Sequence, residues 1–247
     1  MPDFIAQCAQ ALAEGTPYPS FSSSGQTATI DHAYAIQHLF VSDQDREISG
    51  YKAALTAFSA QQAMGIDAPV TGVLFRDGAR SNGDTVSVPN GGVLETELGF
   101  ILAQEIVSPV TEDSVFEKMA SCAPMIEVAK PNLSGPLNGL DLIATNAASF
   151  CYIQGEGFDP LATEADDIQV SLSAAEETLF AGQADEVMGG QRAALTWLIN
   201  ALLALDYPLS QGHLLMTGAI GGAAPAKPGD YAGLFSGHNT LKFRISS

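Results

Sequence analysis

The stretch Gly92-Val93-Leu94-Glu95-Thr96-Glu97-Leu98-Gly99-Phe100-Ile101-Leu102 carries two carboxylates inside an apolar run. Because side chains alternate faces along a β-strand, Glu95 and Glu97 point to the same side, where their charges repel. Apolar side chains flank the pair on that side and fill the other, which predicts a strand that is largely buried on both faces. Two buried carboxylates are costly unless a divalent cation binds them. Either a metal site or a solvated polar face explains the pair.

A third carboxylate favours the metal site. Glu127 lies in the middle of Ala123-Pro124-Met125-Ile126-Glu127-Val128-Ala129, a second short apolar run with strand character. Three carboxylates without a nearby His or Cys form an all-oxygen ligand set, which suits Mg²⁺ or Mn²⁺ better than zinc. We therefore expect one divalent cation held by Glu95, Glu97 and Glu127, with water and substrate completing the octahedron.

The composition limits the classes of protein to consider. Hydrophobic residues make up 46% of the 247-residue chain, which is enough for a substantial core. The net charge of −18 argues against nucleic acid or an anionic membrane as a partner, and it reflects either solubility or a salty habitat. Three scattered cysteines and the absence of a signal-peptide pattern or an uninterrupted membrane span predict a soluble cytoplasmic protein.

The pattern along the chain predicts a mixed α+β fold. Residues 1–49 read as a helical N-terminal segment, with helices over 4–14 and 30–48, Asp31 as N-cap of the second, and a Pro-, Ser- and Thr-rich loop over 15–29. Residues 50–247 read as one continuous sheet-rich domain that also contains a strong helix over 191–205. Strands are predicted at 71–75, 84–88, 93–102, 124–128, 148–154, 168–172, 214–217, 231–235 and 241–245.

A set of motifs resembles the fumarylacetoacetate hydrolase superfamily, and more closely its 2-keto-4-pentenoate hydratase and 4-oxalocrotonate decarboxylase branch. The resemblance covers nearly the whole chain, and the motifs recur in the expected order. They are the Gly50-Tyr51-Lys52 segment, Gln61 to Pro69, Gly72-Val73-Leu74, the Glu-x-Glu strand, the Ala-Pro-x-Ile-Glu segment, Asn146-Ala147-Ala148-Ser149, Trp197-Leu198-Ile199-Asn200, Thr217-Gly218-Ala219 and Lys227-Pro228-Gly229-Asp230.

The resemblance implies a mixed β-sheet roll of the superfamily's C-terminal domain type, with flanking helices and homo-oligomeric assembly. It implies Mg²⁺ or Mn²⁺ on the three glutamates and an active-site role for Lys52, which would otherwise be interpreted as an ordinary surface lysine. It also implies substrate-binding roles for residues of two motifs, Asn146 and Ser149 in one and Thr217 and Gly218 in the other. Read alone, the second motif favours equally a backbone nest for a carboxylate and a simple glycine turn.

Two departures separate the chain from typical hydratases of the branch. Val70-Thr71 follows Pro69, where hydratases commonly have an aspartate and the decarboxylases tend to have an apolar residue. Thr145 stands before Asn146 where an aspartate is common. These departures weaken the assignment to the hydratases and leave room for a separate sub-family with its own substrate.

The expected reaction is that of a metal-dependent lyase acting on a 2-hydroxydienoate or 2-oxo-enoate. A 2-oxo acid offers two hard oxygens to the cation, which polarises the C2 carbonyl. Lys52 would add positive charge and handle a proton once burial and the metal lower its pKa. Arg76 and Arg80 either attract the anionic substrate or are solvated loop arginines.

Hydratase comes first among the activities, ahead of an oxalocrotonate-type decarboxylase. A non-catalytic subunit that binds keto acids is a further alternative, and the retention of all three glutamates and Lys52 argues against it. A hydrolase of the wider superfamily is disfavoured because none of the four histidines can be matched to a general base, and no Gly-x-Ser-x-Gly motif occurs.

Overall fold

The structure is a computed structural model that describes residues 2–23 and 28–247. Part of the predicted loop over 15–29, residues 24–27, therefore lies outside the described residues. The helices are α1 Pro2–Glu14, α2 Ile30–Asp43, α3 Phe58–Met64, α4 Glu112–Val115, α5 Gly139–Ala144 and α6 Gln191–Ala204. The strands are β1 Ile48–Ala54, β2 Val70–Phe75, β3 Ala79–Arg80, β4 Thr85–Ser87, β5 Val93–Leu102, β6 Met119–Ala129, β7 Ser149–Gln154, β8 Gln169–Ala174, β9 Glu177–Gln183, β10 Leu214–Met216, β11 Ile220–Pro225, β12 Gly229–Phe235 and β13 Leu241–Ser246.

Two mixed sheets form the centre of the fold. The larger has the order β2-β1-β10-β5-β6-β7-β3, with β11 pairing with the first half of β5, and the smaller has the order β4-β13-β12-β8-β9. The pairs β1–β10, β3–β7 and β4–β13 are parallel, and the other pairs are antiparallel. The predicted α+β class with a mixed sheet and flanking helices is confirmed.

The larger sheet curls into a roll. Ser49 on β1 and Tyr152 on β7 are separated by three strands in the sheet order, yet their hydroxyl oxygens lie 2.9 Å apart. Small and apolar side chains fill the inside of the roll, among them Leu74, Ala123, Met125, Tyr152, Leu214 and Met216. The glutamates of β5 and β6 lie on this inner face, because Glu97 pairs with Met125 and Glu127 pairs with Tyr152 across the sheet.

The outer face of the roll carries the main core. Leu94, Leu98 and Phe100 alternate with the glutamates along β5 and are fully buried against the second sheet and helix α6. This two-sided burial is the arrangement that the period-2 pattern of β5 predicts. Trp197, on α6, packs against the same core as an ordinary apolar residue.

The first two helices cover one edge of the roll. Phe4, Ile36 and Phe40 share an apolar cluster with Val70 of β2 and Ile143 of α5. The chain has helices in the 1–49 segment where the sequence predicts them, but the division into 1–49 and 50–247 stays a prediction.

Helix α2 ends earlier than predicted. It stops at Asp43 rather than at residue 48, since Asp45 adopts a left-handed φ of 47° and Ile48 already pairs with Phe75 in the sheet. Its N-cap is also not Asp31, because Thr29 accepts the hydrogen bond from the amide of His32 at 3.2 Å.

Candidate active site

The register of β5 and β6 brings the three predicted metal ligands together. Glu95 lies directly opposite Glu127 in the antiparallel pair, and Glu97 follows two residues along the same face. One carboxylate oxygen from each of the three lies within 4.8 Å of the others. Among the described residues, this trio is the one group of three or more acidic, His or Cys side chains close enough together to hold a metal ion.

The three carboxylates repel one another in a place of low polarity. Glu97 and Glu127 are buried, and Glu95 is half-buried at the end of the roll. Burial, together with the charge of Glu127, raises the pKa of Glu95 to about 7. Burial and the two neighbouring carboxylates raise the pKa of Glu97 well above its ordinary value. A positive charge close to the three carboxylates therefore stabilises them strongly.

Lys52 supplies part of that charge. It is fully buried on β1, and its Nζ forms an ion pair with Oε1 of Glu127. Cross-strand pairs run from Lys52 to Met216 and from Met216 to Gly99 of β5, so Lys52 points into the roll like the glutamates. Burial alone lowers the pKa of Lys52, but Glu127, Glu95 and Glu97 together raise it by more. The expected lowering is thus reversed in the protein without metal, and Lys52 stays protonated.

Of the predicted substrate-binding pair Thr217 and Gly218, Gly218 makes contact with Glu97. The amide of Gly218 donates a hydrogen bond of 2.9 Å to Glu97 Oε2. The hydroxyl of Thr217 is fully buried and donates to Gln191 Oε1 at 2.7 Å. Gly218 has a φ of +114°, and a Cβ there would lie 2.5 Å from Cγ2 of Thr56. The observed contacts of this motif orient a glutamate.

The motif around Asn146 forms an unusual turn. Asn146, Ala147 and Ala148 all have positive φ, at 65°, 49° and 58°, which is costly for residues other than glycine. The amide of Asn146 holds the turn, since its Oδ1 accepts from Val73 N at 2.6 Å and its Nδ2 donates to Val73 O at 2.9 Å. The side chain of Asn146 is therefore occupied by strand β2.

The turn presses Ala147 against the site. A Cβ placed on Gly72 would lie 3.1 Å from Cβ of Ala147 and 3.2 Å from Cε of Lys52, so a larger residue at 72 would require these neighbours to shift by a few tenths of an ångström. Ser149 begins β7 and lines a separate cavity on the other side of the turn, not the pocket that contains Lys52. The structure thus brings Thr217, Gly218 and the turn close to the carboxylates, and it places Ser149 elsewhere.

A pocket of about 210 Å³ opens beside Lys52 and Glu95, which are its only charged lining residues among those described. The rest of its wall is aliphatic or proline. These residues are Ala54, Leu55, Met64, Val70, Val93, Ala129, Pro131, Leu137, Leu142, Ala147 and Ala148. Most of them were not identified from the sequence, because they come from loops and short helices whose patterns carry no local signal. Only the tertiary fold assembles this wall.

The site's residues fit a hard divalent cation. Oε1 of Glu97 and Oε2 of Glu127 are buried without a hydrogen-bond partner among the described residues. Such atoms are costly unless something positive binds them. Three carboxylates and one ammonium leave a formal charge of about −2, which one divalent cation would balance. The donors are all oxygen, as Mg²⁺ and Mn²⁺ prefer.

Neither predicted arginine lines this pocket. Arg76 is exposed and paired with Glu47, with Nε 2.6 Å from Oε1. Arg80 lines the separate cavity that also contains Ser149. Of the histidines, His38 stacks on Tyr207 and His238 on Phe158, and His213 contacts Tyr51, whose side chain lies on the outer face of the roll. These contacts place the three rings away from the carboxylates.

Sequence comparisons find relatives of the chain among hydratases. No family model matches the chain. The chain is 28% identical to the 2-keto-4-pentenoate hydratase of Paraburkholderia xenovorans over 229 residues, which are 90% of this chain and 85% of the relative. It is 29% identical to the 2-oxo-hept-4-ene-1,7-dioate hydratase of Escherichia coli, with 82% and 81% of the two chains covered.

Solved structures share the fold. The 4-oxalocrotonate decarboxylase from Pseudomonas putida G7, complexed with magnesium and adipate, superposes with a TM-score of 0.91 at 19% identity, covering 99% of this chain and 96% of that one. Fumarylpyruvate hydrolase from Pseudomonas aeruginosa, in complex with Mn²⁺ and pyruvate, has a TM-score of 0.65 at 15% identity, with 93% and 96% covered. Within the described residues, no helix is both long and apolar enough to cross a membrane. The resemblance is confirmed: the chain has the fold of the fumarylacetoacetate hydrolase superfamily and is similar in sequence to 2-keto-4-pentenoate hydratases.

Proposed function

We propose that this chain is a metal-dependent hydro-lyase that adds water to a 2-hydroxydienoate through its 2-oxo-enoate form. The observation that carries the proposal is the cluster of Glu95, Glu97, Glu127 and Lys52, of which Lys52 and Glu95 line a small, otherwise apolar pocket. The names of the relatives support the same reaction type.

Glu95, Glu97 and Glu127 would hold the divalent cation, Mg²⁺ or Mn²⁺. When bound, the cation supplies positive charge that polarises the C2 carbonyl of a 2-oxo acid. Glu97 is held in place for this role by the amide of Gly218, and Glu127 by its ion pair with Lys52. Pre-oriented ligands spare the protein the cost of ordering them when the ion enters.

Lys52 would pair with the C1 carboxylate of the substrate and stabilise the negative charge that develops at the C2 oxygen. Its ammonium faces the same pocket as Glu95, and the surrounding carboxylates keep it protonated. A buried ammonium stabilises a developing oxyanion far more than a solvated one does. Lys52 Nζ can also donate the proton that C5 gains as the dienol becomes the conjugated ketone, and it regains a proton from the enol hydroxyl. Water then adds across the C3–C4 double bond, with its hydroxyl at C4 and its proton at C3.

The residues predicted to bind substrate fall into two groups by their contacts. Thr217, Gly218 and Asn146 would act indirectly, since their polar groups are bonded to Gln191, Glu97 and Val73. Their proposed role is to position Glu97 and the wall of the pocket. Ser149 would contact the substrate only if part of the substrate entered the neighbouring cavity that Ser149 lines.

The pocket wall favours a hydratase acting on a monocarboxylate over an oxalocrotonate-type decarboxylase. The decarboxylase substrate, 2-oxohex-3-enedioate, carries a second carboxylate at its far end. Leu55, Met64, Leu137 and Leu142 line the pocket beyond Lys52, and none can pair with that charge. An unpaired carboxylate among such side chains is strongly disfavoured.

The assembly and the compartment are also proposals. We propose a homo-oligomer, as the resemblance implies, and Phe58 and Val107, which are 69% and 78% exposed, are candidates for its interfaces. We propose a cytoplasmic location, which the three buried free cysteines support.

The test is an ultraviolet assay of the purified protein with 2-hydroxypenta-2,4-dienoate, with Mg²⁺ or with EDTA. We expect the diene absorbance to disappear with Mg²⁺ and to persist with EDTA, and the product to be 4-hydroxy-2-oxopentanoate. In a parallel reaction with 2-oxohex-3-enedioate as the substrate, we expect the protein to release little CO₂. Turnover of the diacid alone would replace the hydratase with the decarboxylase, and no metal-dependent turnover of either would overturn the lyase.

A further inference from the structure

A second cavity lies on the opposite side of the Asn146–Ala148 turn from the catalytic pocket. Its volume is about 340 Å³, and it is walled by helices α1 and α2 on one side and by the ends of β2, β6 and β7 on the other. Its lining overlaps that of the catalytic pocket at one described residue, Ala148. The two cavities are therefore separate spaces.

This cavity concentrates positive charge in an acidic protein. The chain has ten Lys and Arg residues against 28 Asp and Glu. Three of the ten, Arg46, Arg80 and Lys130, line the cavity, together with a single carboxylate, Asp77. The local formal charge is therefore positive, whereas the molecule as a whole is strongly negative. A cleft of one sign focuses the field and draws ligands of the opposite sign.

The carboxylate neutralises only one of the three cations. Asp77 accepts hydrogen bonds from two nitrogens of Arg46, from Nε at 3.0 Å to Oδ2 and from Nη2 at 2.5 Å to Oδ1. Arg80 donates only to the carbonyls of Asp77 and Ala79, each at 2.7 Å. Within the described part of the chain, Arg80 and Lys130 have no carboxylate partner.

The cations are also held in position. The guanidinium of Arg46 lies 4.0 Å from the ring centroid of Phe75, and Nζ of Lys130 lies 5.3 Å from that of Phe150. The amide of Lys130 donates to the carbonyl of Ala148 at 2.7 Å, which ties it to the turn. Both cations are half-buried, so their charges are less screened than those of surface residues.

We propose that this cavity binds a small organic carboxylate with an apolar body. Lys130 and Arg80 would receive the carboxylate, and Leu12, Phe40, Phe75 and Phe150 would contact the body. The volume falls in the range of small-molecule sites, and such sites combine an apolar lining with a few placed polar groups. The site is independent of the metal and of the proposed lyase activity.

The test is calorimetric titration of benzoate into the full chain in EDTA, with acetate and benzamide as matched probes. We expect saturable binding of one benzoate, at least about tenfold weaker binding of acetate, which lacks the body, and no saturable binding of benzamide, which lacks the charge. Lys130→Met and Arg80→Met should each weaken benzoate binding by about tenfold or more. Lys242→Met, which removes an exposed lysine elsewhere, should leave it unchanged.

Three results would overturn the site. They are the absence of saturable benzoate binding, equal binding of benzamide, and wild-type affinity in both Lys130→Met and Arg80→Met. Loss of binding in Lys52→Met with retention in Lys130→Met would assign the anion to the catalytic pocket instead. Circular dichroism checks the folding of each variant. If Lys130→Met fails to fold, the affinity of Arg80→Met for benzoate decides whether the cavity is the binding site, because the Arg80 side chain is partly exposed and its replacement disturbs the fold less.

Discussion

Glu95 and Glu127 stand directly opposite each other on neighbouring antiparallel strands, with like charges on one face of the sheet. Such a pair destabilises a sheet, and burial makes it worse. A protein retains this arrangement without penalty only when a cation or protons occupy it. The stability of the fold should therefore depend on metal and pH together.

We expect Mg²⁺ to stabilise the protein more as the pH rises from about 5 to 8. Burial and the neighbouring carboxylates raise the pKa of Glu95 to about 7 and that of Glu97 well above its ordinary value. The folded metal-free protein thus binds more protons than the unfolded chain above pH 4.5, so its stability falls as the pH rises through 7. Metal binding displaces those protons and is stronger at high pH.

The measurement is the difference in Tm with saturating Mg²⁺ and with EDTA at each pH. Taking the difference cancels groups away from the site, including His213 and His238, whose pKa values are lowered by burial and which act in the opposite direction. A difference in Tm that is flat or shrinks between pH 5 and 8 would contradict the metal site.

Glu97→Gln should stabilise the metal-free protein and abolish most of the effect of the metal. The substitution keeps the volume and the acceptor for the Gly218 amide, but it removes a buried negative charge whose other oxygen has no partner. We expect a higher Tm in EDTA, at least about tenfold weaker Mg²⁺ binding, and loss of most lyase activity. Calorimetry and thermal melts measure the first two without any assay.

Glu105→Gln is the control for Glu97→Gln, since Glu105 is exposed just beyond the end of β5. It should change neither Tm nor Mg²⁺ binding appreciably. If Glu97→Gln bound Mg²⁺ as the wild type does, Glu97 would not be a ligand.

Lys52→Met should reduce kcat by about 10²-fold or more, the usual effect of losing one acid–base or electrostatic group. Mg²⁺ affinity should stay the same or rise, because a positive charge beside Glu127 has been removed. Lys52→Arg should not restore the rate, since a guanidinium keeps its proton and has a different reach. Steady-state kinetics and Mg²⁺ titration of folded variants test this, and near-wild-type kcat in Lys52→Met would remove Lys52 from the mechanism.

The sequence predicts the clustering of the three carboxylates because its signal is local. Alternation along β5 places Glu95 and Glu97 on one face, and a single pairing with β6 brings in Glu127. By contrast, the left-handed turn over Asn146–Ala148 contains no glycine, and its conformation depends on the bonds from Asn146 to Val73, which lies 73 residues away. No local pattern encodes such a contact.

The boundary of helix α2 shows the same limit. Residues 44–48 continue an acceptable helical pattern, but Ile48 and Gly50 are used by β1 in its pairing with β2 and β10. The energy of joining the sheet outweighs a weak helical preference over a few residues. The wall of the pocket is likewise assembled only in three dimensions, from α3, α5 and the loop after β6.

Gly218→Ala should weaken Mg²⁺ binding although residue 218 is not a ligand. The new Cβ would lie 2.5 Å from Cγ2 and 2.8 Å from Oγ1 of Thr56, and the φ of +114° is unfavourable for alanine. The backbone must shift, and the hydrogen bond that orients Glu97 would lengthen. We expect a lower Tm and several-fold weaker Mg²⁺ binding, which calorimetry of the EDTA-treated protein measures.

A matched control separates the clash from the backbone strain. Gly237 also has a positive φ, of +77°, but a Cβ added there would have no described atom within 4 Å beyond its chain neighbours. Gly237→Ala should therefore lower Tm through backbone strain alone and leave Mg²⁺ binding unchanged. Adding Thr56→Ala to Gly218→Ala removes the two closest atoms and should restore much of the Mg²⁺ affinity. If the double variant bound Mg²⁺ no better than Gly218→Ala, the clash with Thr56 would not be the cause, and the orientation of Glu97 would have to depend on something other than this contact.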